Sequence, residues 1–208
     1  MILFFLCFHH LSYILGLFFI FVNFDFYYLL VPIIIGYIGV YFIAHKGYHL
    51  GLSHKKYKDT TKIKILSFFY VLFTGWVTSP IANSLSHRLH HKYTDTEKDP
   101  HSPKFLSFSN IALYRWNTFP IGGGIIKDFL KSDFQKKLHN NRLKLHISFL
   151  IMFFPFIPFL ISPIVIHFYW ATTLVNYFCH LNGILQNKKL LFFVYPWGWK
   201  HKLHHNNY

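Results

Sequence analysis

The sequence predicts an all-α integral membrane protein with four helical spans and a cytoplasmic helical cap, formed by one domain over residues 1–208. Two blocks of the chain, 1–45 and 145–187, are long, apolar and almost free of charge. Every lysine and arginine lies instead in 46–144 or 188–208. Because about 20 apolar residues in a helix cross a bilayer, each block is long enough for two crossings.

The composition of the 208-residue chain excludes several classes of protein. Hydrophobic residues make up 53% of it and charged residues 13%, which is far too apolar for a disordered chain. Lysine and arginine number 21 against 7 acids, a net charge of +14. This excess is confined to two segments rather than spread over a soluble surface, so we expect no nucleic-acid partner. Cys7 and Cys179 each lie in an apolar run and are too few for a disulfide scaffold.

The first block predicts a membrane hairpin over residues 1–45. One span runs through Ile2–Val22, the turn lies at Asn23–Phe26, and the second span returns through Tyr27–Ala44. Asp25, in the turn, is the only charged residue of the block. A shorter apolar segment, 63–76, has lysines at its start and predicts a helix lying at the membrane interface.

The second block predicts another hairpin over residues 145–187. Its spans run through Leu145–Ile161 and Ile164–Leu181, with the turn at Ser162–Pro163 and a kink from the prolines of the third span. Neither hairpin turn carries lysine or arginine. The positive-inside rule therefore places segment 46–144, segment 188–208 and both ends of the chain in the cytoplasm.

Histidines cluster at the predicted cytoplasmic edge of the spans. One HxxxxH pair precedes two HxxHH boxes, and His180 ends the fourth span four residues after Asn176. Residues three and four apart share a helix face, so the imidazoles of each HxxHH box can point the same way. Nine nitrogens are too many for one ion and suit two, and imidazole binds iron, zinc, copper and nickel alike. The nine are His49, His54, His87, His90, His91, His180, His201, His204 and His205.

A single box has simpler explanations, a surface zinc site or chance in a basic loop, but three boxes on one side favour a shared metal site. Other histidines predict other roles. We expect His9 and His10 to be packing or interfacial residues, and His139 and His146 to meet lipid headgroups. His167 lies inside the fourth span, too far from its end to be a ligand.

These motifs resemble those of the membrane fatty acyl desaturases of the stearoyl-CoA delta-9 type. Box one, GYHLGLSHK at 47–55, is similar to the family's GxHRxxxH segment, which leaves His45 outside the motif. Box two, HRLHHKYTDTEKDPH at 87–101, is similar to HRxHHxxxDTxxDPH. NYFCH at 176–180 resembles the NxxxH element, and GWKHKLHH at 198–205 resembles GxxxHNxHH. Lys202 stands where box three usually has asparagine, and the approach to box two lacks a tryptophan often found there.

The resemblance implies a di-iron centre held by the nine histidines, with Asn176 contacting a metal through water. Asp95 and Asp99 would support the ligands or cap the loop, unless they only begin an exposed Asp-Pro loop. An acyl tunnel would be lined by Trp76, Trp170, Thr172 and Thr173.

The activity that the resemblance implies is O2-dependent desaturation of a fatty acyl chain, with a cis double bond near carbon 9. The substrate would be an acyl-CoA or a lipid-linked acyl chain in the bilayer, with O2 as co-substrate. The sequence shows no flavin, haem or iron–sulfur motif, so electrons would come from a donor such as cytochrome b5 or ferredoxin. The membrane would be the bacterial inner membrane or the endoplasmic reticulum. The alternatives are a lipid hydroxylase on the same metal core and a non-enzymatic membrane metal-binding or transport protein.

Overall fold

The computed structural model describes residues 1–55, 61–118, 123–184, 186–189, 191 and 200–206, and within these ranges it contains helices and no strand. The all-α prediction is therefore confirmed for the part of the chain that is described. The α-helices are α1 Ile2–Asn23, α2 Leu30–Gly39, α3 Thr61–Thr74, α4 Pro80–Tyr93, α5 Phe108–Ala112, α6 Lys127–Leu130, α7 Asp133–Met152, α8 Ser162–Phe178 and α9 His201–Asn206. Shorter 3-10 helices occupy Phe26–Leu29, Gly123–Ile126, Phe154–Phe156 and Leu181–Gly183.

Both helices predicted for the first block are present, and the chain breaks between them where the sequence placed the turn. Helix α1 ends at Asn23, and the 3-10 helix that leads into α2 begins at Phe26. Helix α2 then continues without a break as a π-helix over Val40–Ser53. A π-helix closes its hydrogen bonds five residues apart; it is rare, and the examples known are frequently at functional sites.

Helix α8 lies at the centre of the apolar part of the molecule, in contact with α1, α2 and the π-helix. Close approach is possible because glycine stands at two crossings. A Cβ atom on Gly16 would come within 2.8 Å of Pro158, and one on Gly36 within 2.7 Å of the His167 ring. Small residues allow helix backbones to approach closely in membrane proteins. The core around α8 includes the buried Trp76 and Tyr169.

The predicted turn at Ser162–Pro163 is wrong. The chain breaks earlier, in the 3-10 helix Phe154–Phe156 that follows α7, and both residues lie in the first turn of α8. Pro155 lacks a backbone N–H, so α7 cannot continue through it. Pro163 is tolerated in the first turn of a helix, and a short π-helix, Ile157–Ile161, leads into α8 ahead of it.

Three helical segments of the described residues are long and apolar enough to cross a membrane: Ile2–Asn23, Phe26–Ser53 and Phe154–Gly183. The predicted span 145–161 is instead divided between the apolar end of α7 and the start of the third segment. Large side chains of the first two segments, such as Phe18 and Ile34, lie exposed on the surface of the chain, where lipid would solvate them. These segments support a membrane protein.

His146 does not meet lipid headgroups as predicted, because it is fully buried together with His9. Its Nδ1 lies 2.6 Å from the Leu72 carbonyl oxygen and must donate to it. The neutral ring then accepts at Nε2 from the Nε2–H of His9, 3.4 Å away. The Nδ1 of His9 in turn accepts from the Ser162 hydroxyl at 3.0 Å. This chain of hydrogen bonds connects α1, α3, α7 and α8, and it confirms packing as the role of His9.

Replacing one member of this chain should destabilise the fold. In His146→Leu the N–H of the buried His9 ring loses its acceptor, and an unsatisfied buried donor costs about 1–3 kcal/mol. We expect the free energy of unfolding in detergent to fall by about that amount, measured by denaturant titration followed by circular dichroism.

The control is the double variant His9→Leu/His146→Leu, in which both ring partners become apolar. Removing both partners of a buried hydrogen bond can be nearly neutral, so the double variant should lose less stability than the two single variants added together. Strictly additive losses would contradict the role given to this hydrogen bond.

Candidate metal centre

The structure brings the nine predicted histidines together at the ends of four separate stretches of chain. Within each of two groups, the ring nitrogens all lie within 4.8 Å of one another. The five-histidine cluster consists of His49, His54, His87, His91 and His204. The four-histidine cluster consists of His90, His180, His201 and His205.

The π-helix explains the HxxxxH spacing of box one. In an α-helix, residues five apart point in clearly different directions, whereas five residues complete about one turn of a π-helix. The His54 backbone N–H donates to the His49 carbonyl 3.1 Å away, a bond of the π-helical kind. The two side chains therefore reach the same cluster, with their Nε2 atoms 3.3 Å apart.

Each HxxHH box divides its histidines between the clusters, and the two boxes do so in opposite ways. On α4, His87 and His91 are four residues apart and join the five-histidine cluster, while His90 points into the other. On α9, His201 and His205 are four residues apart and join the four-histidine cluster, while His204 belongs to the five-histidine cluster.

Helix α4 is capped at its start by Ser79, whose hydroxyl accepts a hydrogen bond from the Ala82 N–H at 3.2 Å.

Distances between the rings fit metal ligands and do not fit hydrogen bonds. The His54 Nε2 atom lies 2.9 Å from that of His87 and 3.1 Å from that of His204, in addition to its contact with His49. One Nε2 atom carries either one proton or one lone pair, so it cannot serve three such partners. Two nitrogens bound about 2.1 Å from one ion at right angles lie about 3 Å apart. The donor set therefore fits a metal ion in each cluster.

Two aspartates orient rings of the four-histidine cluster. The Nδ1–H of His90 donates to Asp99 at 2.8 Å, and that of His180 donates to Asp95 at 3.0 Å. Each bond fixes the tautomer whose Nε2 lone pair faces the other rings, which is how carboxylates support metal-bound histidines. Asp99 is fully buried, so an exposed loop start is excluded for this residue. Ser102 holds Asp95 by donating its hydroxyl at 2.7 Å.

Burial favours the neutral form of the imidazoles on α4 and of His205 on α9. Desolvation, reinforced by neighbouring histidines, lowers the pKa of His87 and His90 well below 6.5. The same causes lower the pKa of His91 to about 2 and that of His205 to about 3. Burial raises the pKa of Asp99 to about 6 against the opposing effect of backbone N–H donors. Neutral imidazole keeps the lone pair that a metal requires.

A cavity of about 90 Å³ touches both clusters. His49 and His87 of one cluster and His201 of the other contribute to its wall. Asn176, the predicted water-mediated ligand, also lines this cavity. It does so together with Thr172, one turn earlier on α8. Apolar side chains of the π-helix and α8 form much of the rest of the wall: Val40, Ala44, Phe168, Ala171 and Val175.

The other predicted tunnel residues lie elsewhere. Trp76 is buried in the core, where its Nε1–H donates to the Phe73 carbonyl, and Trp170 donates to His10. Thr173 is buried on α8 but is not among the residues that line this cavity. Residue type and nearness to the spans do not decide which of the four residues face the cavity, because this depends on how α8 packs against the π-helix.

Nine residues of the cavity wall are not predicted as site residues by the sequence, and among them are Asn83, His101 and Trp116. The His101 ring lies 4.4 Å from His90 and 4.7 Å from Trp116, measured between ring centres. Its place at the end of the DPH run was the one available signal. His45 lies outside both clusters, as predicted, with its ring centre 5.6 Å from that of His49. Gly198 and Trp199 of box three lie outside the described residues.

Replacing Asp99 should weaken metal binding at one cluster. In Asp99→Asn the charged acceptor of His90 Nδ1–H is lost, and loss of such a partner typically costs 10–100-fold in metal affinity, as an order of magnitude. We expect that loss at the four-histidine cluster, measured by cobalt(II) titration of the detergent-solubilised protein.

Asp133→Asn is the matched control, because Asp133 is an exposed aspartate paired with Lys136 on α7. It should leave both cobalt affinities unchanged. Equal affinities in Asp99→Asn and the wild-type chain would contradict the orienting role of Asp99.

Comparison with known proteins finds similarity to several desaturases. The chain is 30% identical to an acyl-CoA 5-desaturase from Anemone leveillei over 152 residues, covering 66% of this chain and 46% of that protein. It is 33% identical to a probable chloroplastic lipid desaturase from Arabidopsis thaliana over 66% of this chain and 40% of that protein. It is 31% identical to an (11Z)-hexadec-11-enoyl-CoA conjugase from Bombyx mori over 74% and 47%, respectively.

These matches confirm the predicted resemblance to the fatty acyl desaturases. The chain spans less than half the length of these three relatives. No protein-family model matches the chain, and no solved structure matches it significantly.

Proposed function

We propose that this protein desaturates a fatty acyl chain, an O2-dependent oxidoreductase reaction at a di-iron centre held by histidines. The observation that carries the proposal is the gathering of nine histidine ring nitrogens into two adjacent clusters beside one cavity. The similarity to acyl-CoA and lipid desaturases supports the same reaction. We further propose a cis double bond near carbon 9 as the product.

The proposed ligands are the nine clustered histidines, five at one iron and four at the other. Asn176 would complete the second site through a water molecule, since it lines the cavity beside His201. No protein acid or base is strong enough to remove hydrogen from an unactivated methylene, and this is the chemistry that bound iron and O2 would supply.

The residues around the cavity would hold the acyl chain and exclude water. Val40, Phe168 and Val175 offer an apolar surface to methylene groups next to both clusters. Tyr48 and Asn83 close the wall near the histidines, and Asn83 is fixed there by a hydrogen bond to the Tyr70 hydroxyl. A fixed and dry wall would keep one pair of carbons beside the metal centre.

The proposed setting is a bilayer, with four spans and both ends of the chain on the cytoplasmic side. The three long apolar segments would cross it, and the apolar end of α7 would enter it as the fourth. Basic residues outside these segments fit the cytoplasmic side. The membrane would be that of the endoplasmic reticulum or the bacterial inner membrane.

Electrons would come from an external donor such as cytochrome b5 or ferredoxin. A recess of about 460 Å³ lies over the five-histidine cluster, lined by His54, His87 and His91 and by the basic Lys55 and Lys92. Positive charge at this recess would attract an acidic donor protein. The same charge suits the headgroup of an acyl-CoA.

Lipid analysis of a host that expresses the chain and is fed saturated fatty acids tests the proposal. The wild-type chain should produce new unsaturated acyl chains and should carry two irons per chain by mass spectrometry. His90→Ala removes a ligand of the four-histidine cluster, so we expect it to lose the product and at least one iron.

His45→Ala is the matched control, because His45 is a neighbouring histidine outside both clusters. It should keep both irons. Undiminished unsaturation in His90→Ala, or a metal-free wild-type chain that is fully active, would contradict the proposal.

Filling the cavity should separate substrate binding from metal binding. In Thr172→Phe a larger side chain would occupy space in the cavity beside Asn176. The substitution leaves all the proposed metal ligands in place. We expect at least a tenfold loss of unsaturated product at unchanged iron content, about 1.4 kcal/mol in the activation barrier. Unchanged product levels would show that the acyl chain lies elsewhere.

A further inference from the structure

Arg88 lies on α4 directly after His87, and its guanidinium group uses all five of its N–H donors. Nε donates to the Ser53 carbonyl at 2.8 Å, and one Nη2–H donates to the Leu52 carbonyl at 2.8 Å. One Nη1–H donates to the Ile125 carbonyl at 2.7 Å. The remaining two donate to the two carboxylate oxygens of Asp128 at 2.7 and 2.8 Å. The Arg88 side chain is only 11% exposed.

The first two acceptors are at the end of the π-helix. The last carbonyls of a helix have no partner within it, and a cation there is also favoured by the helix dipole. Ser53 is followed by His54, so these bonds fix the backbone from which the His54 side chain extends. The Nε2 atoms of His54 and His87 lie 2.9 Å apart in the five-histidine cluster.

The other acceptors hold the guanidinium group from the opposite side. Asp128 binds it through two parallel hydrogen bonds, and Arg88 Cζ lies 5.1 Å from the centre of the Phe129 ring. A planar group held in this way has one orientation. Contacts with α6 and the residues before it therefore fix the orientation of the Arg88 guanidinium group. The same group then fixes the position of the end of the π-helix through its bonds to the Leu52 and Ser53 carbonyls.

We propose that Arg88 is a positioning residue for the five-histidine cluster, fixing box one against box two so that His54 and His87 can share one metal ion. The inference rests on the proposed function, in that the cluster binds metal. The four-histidine cluster has its own support in Asp95 and Asp99, so loss of Arg88 acts mainly on the five-histidine site. Lysine cannot replace Arg88, because its ammonium group has three donors on one nitrogen. It cannot reach the five acceptor atoms that surround the planar guanidinium group.

The test is cobalt(II) binding by the full chain in detergent, followed by the visible absorption of bound cobalt. We expect the wild-type chain to bind two ions. Arg88→Lys should bind one ion with unchanged affinity and the other about 10–100-fold more weakly, the range found when residues supporting metal ligands are lost. Asp128→Asn keeps the guanidinium group but weakens its hold, so it should show a smaller loss at the same site.

Arg115→Lys is the matched control, since Arg115 is an exposed arginine of the described surface. It should bind both ions like the wild-type chain. Circular dichroism shows whether each variant is folded. If Arg88→Lys is unfolded, Asp128→Asn takes its place in the test: weaker cobalt binding at one site only supports the positioning role, and unchanged binding at both sites contradicts it.

Two strong sites in Arg88→Lys, or an equal loss at both sites in a folded variant, would overturn the positioning role while leaving the metal centre intact. A folded wild-type chain that binds no cobalt would overturn the metal centre and this inference with it.

Discussion

The arrangement of this protein depends on one constraint, which is that nine imidazole nitrogens from distant parts of the chain must meet in two small groups. Within each group one nitrogen of each ring lies within 4.8 Å of those of the others. Because each such nitrogen carries only one proton or one lone pair, the rings cannot all be paired with one another by hydrogen bonds. Such an arrangement is stable only with ions at the centres or with strong support from outside. Asp99 and Asp95 provide such support behind the rings of His90 and His180. Arg88 binds the backbone carbonyl of Ser53, directly before His54.

The apolar helices position the two histidine clusters. Helix α8 packs closely on α2 at Gly36, and the short π-helix before it packs closely on α1 at Gly16. Helix α8 also carries Asn176 near its end, just before His180. The π-helix brings the His49 and His54 side chains into the same cluster. Helix α4 packs against the π-helix, and the hydroxyl oxygens of Ser53 and Ser84 lie 3.2 Å apart at this contact. The cavity lies where these elements meet. The same packing therefore forms the cavity and brings the clustered histidines to its wall.

Much of the site was predictable because its signals are local. Spacing of four residues on a helix is enough to place the outer histidines of each HxxHH box on one face, and hydropathy is enough to place the first hairpin and its turn at Asn23. Sequence could not divide the nine histidines into five and four, because His90 and His204 each join the cluster opposite to their neighbours on the helix. That division depends on how α4 and α9 approach each other.

The sequence by itself determined the helical class and the charge-free blocks, which follow from residue type, and most of the clustered histidines, which follow from short spacings. The choice of His49 and His54 over His45 came from the resemblance of box one to the family's motif. Only the tertiary structure decided that the chain breaks near Pro155 and not at Ser162, and that His146 is buried against His9. It also decided that Thr172 faces the cavity while Trp76 does not. The physical reason is the same in each case: burial and hydrogen bonding depend on which distant helix lies opposite, and no local pattern records that.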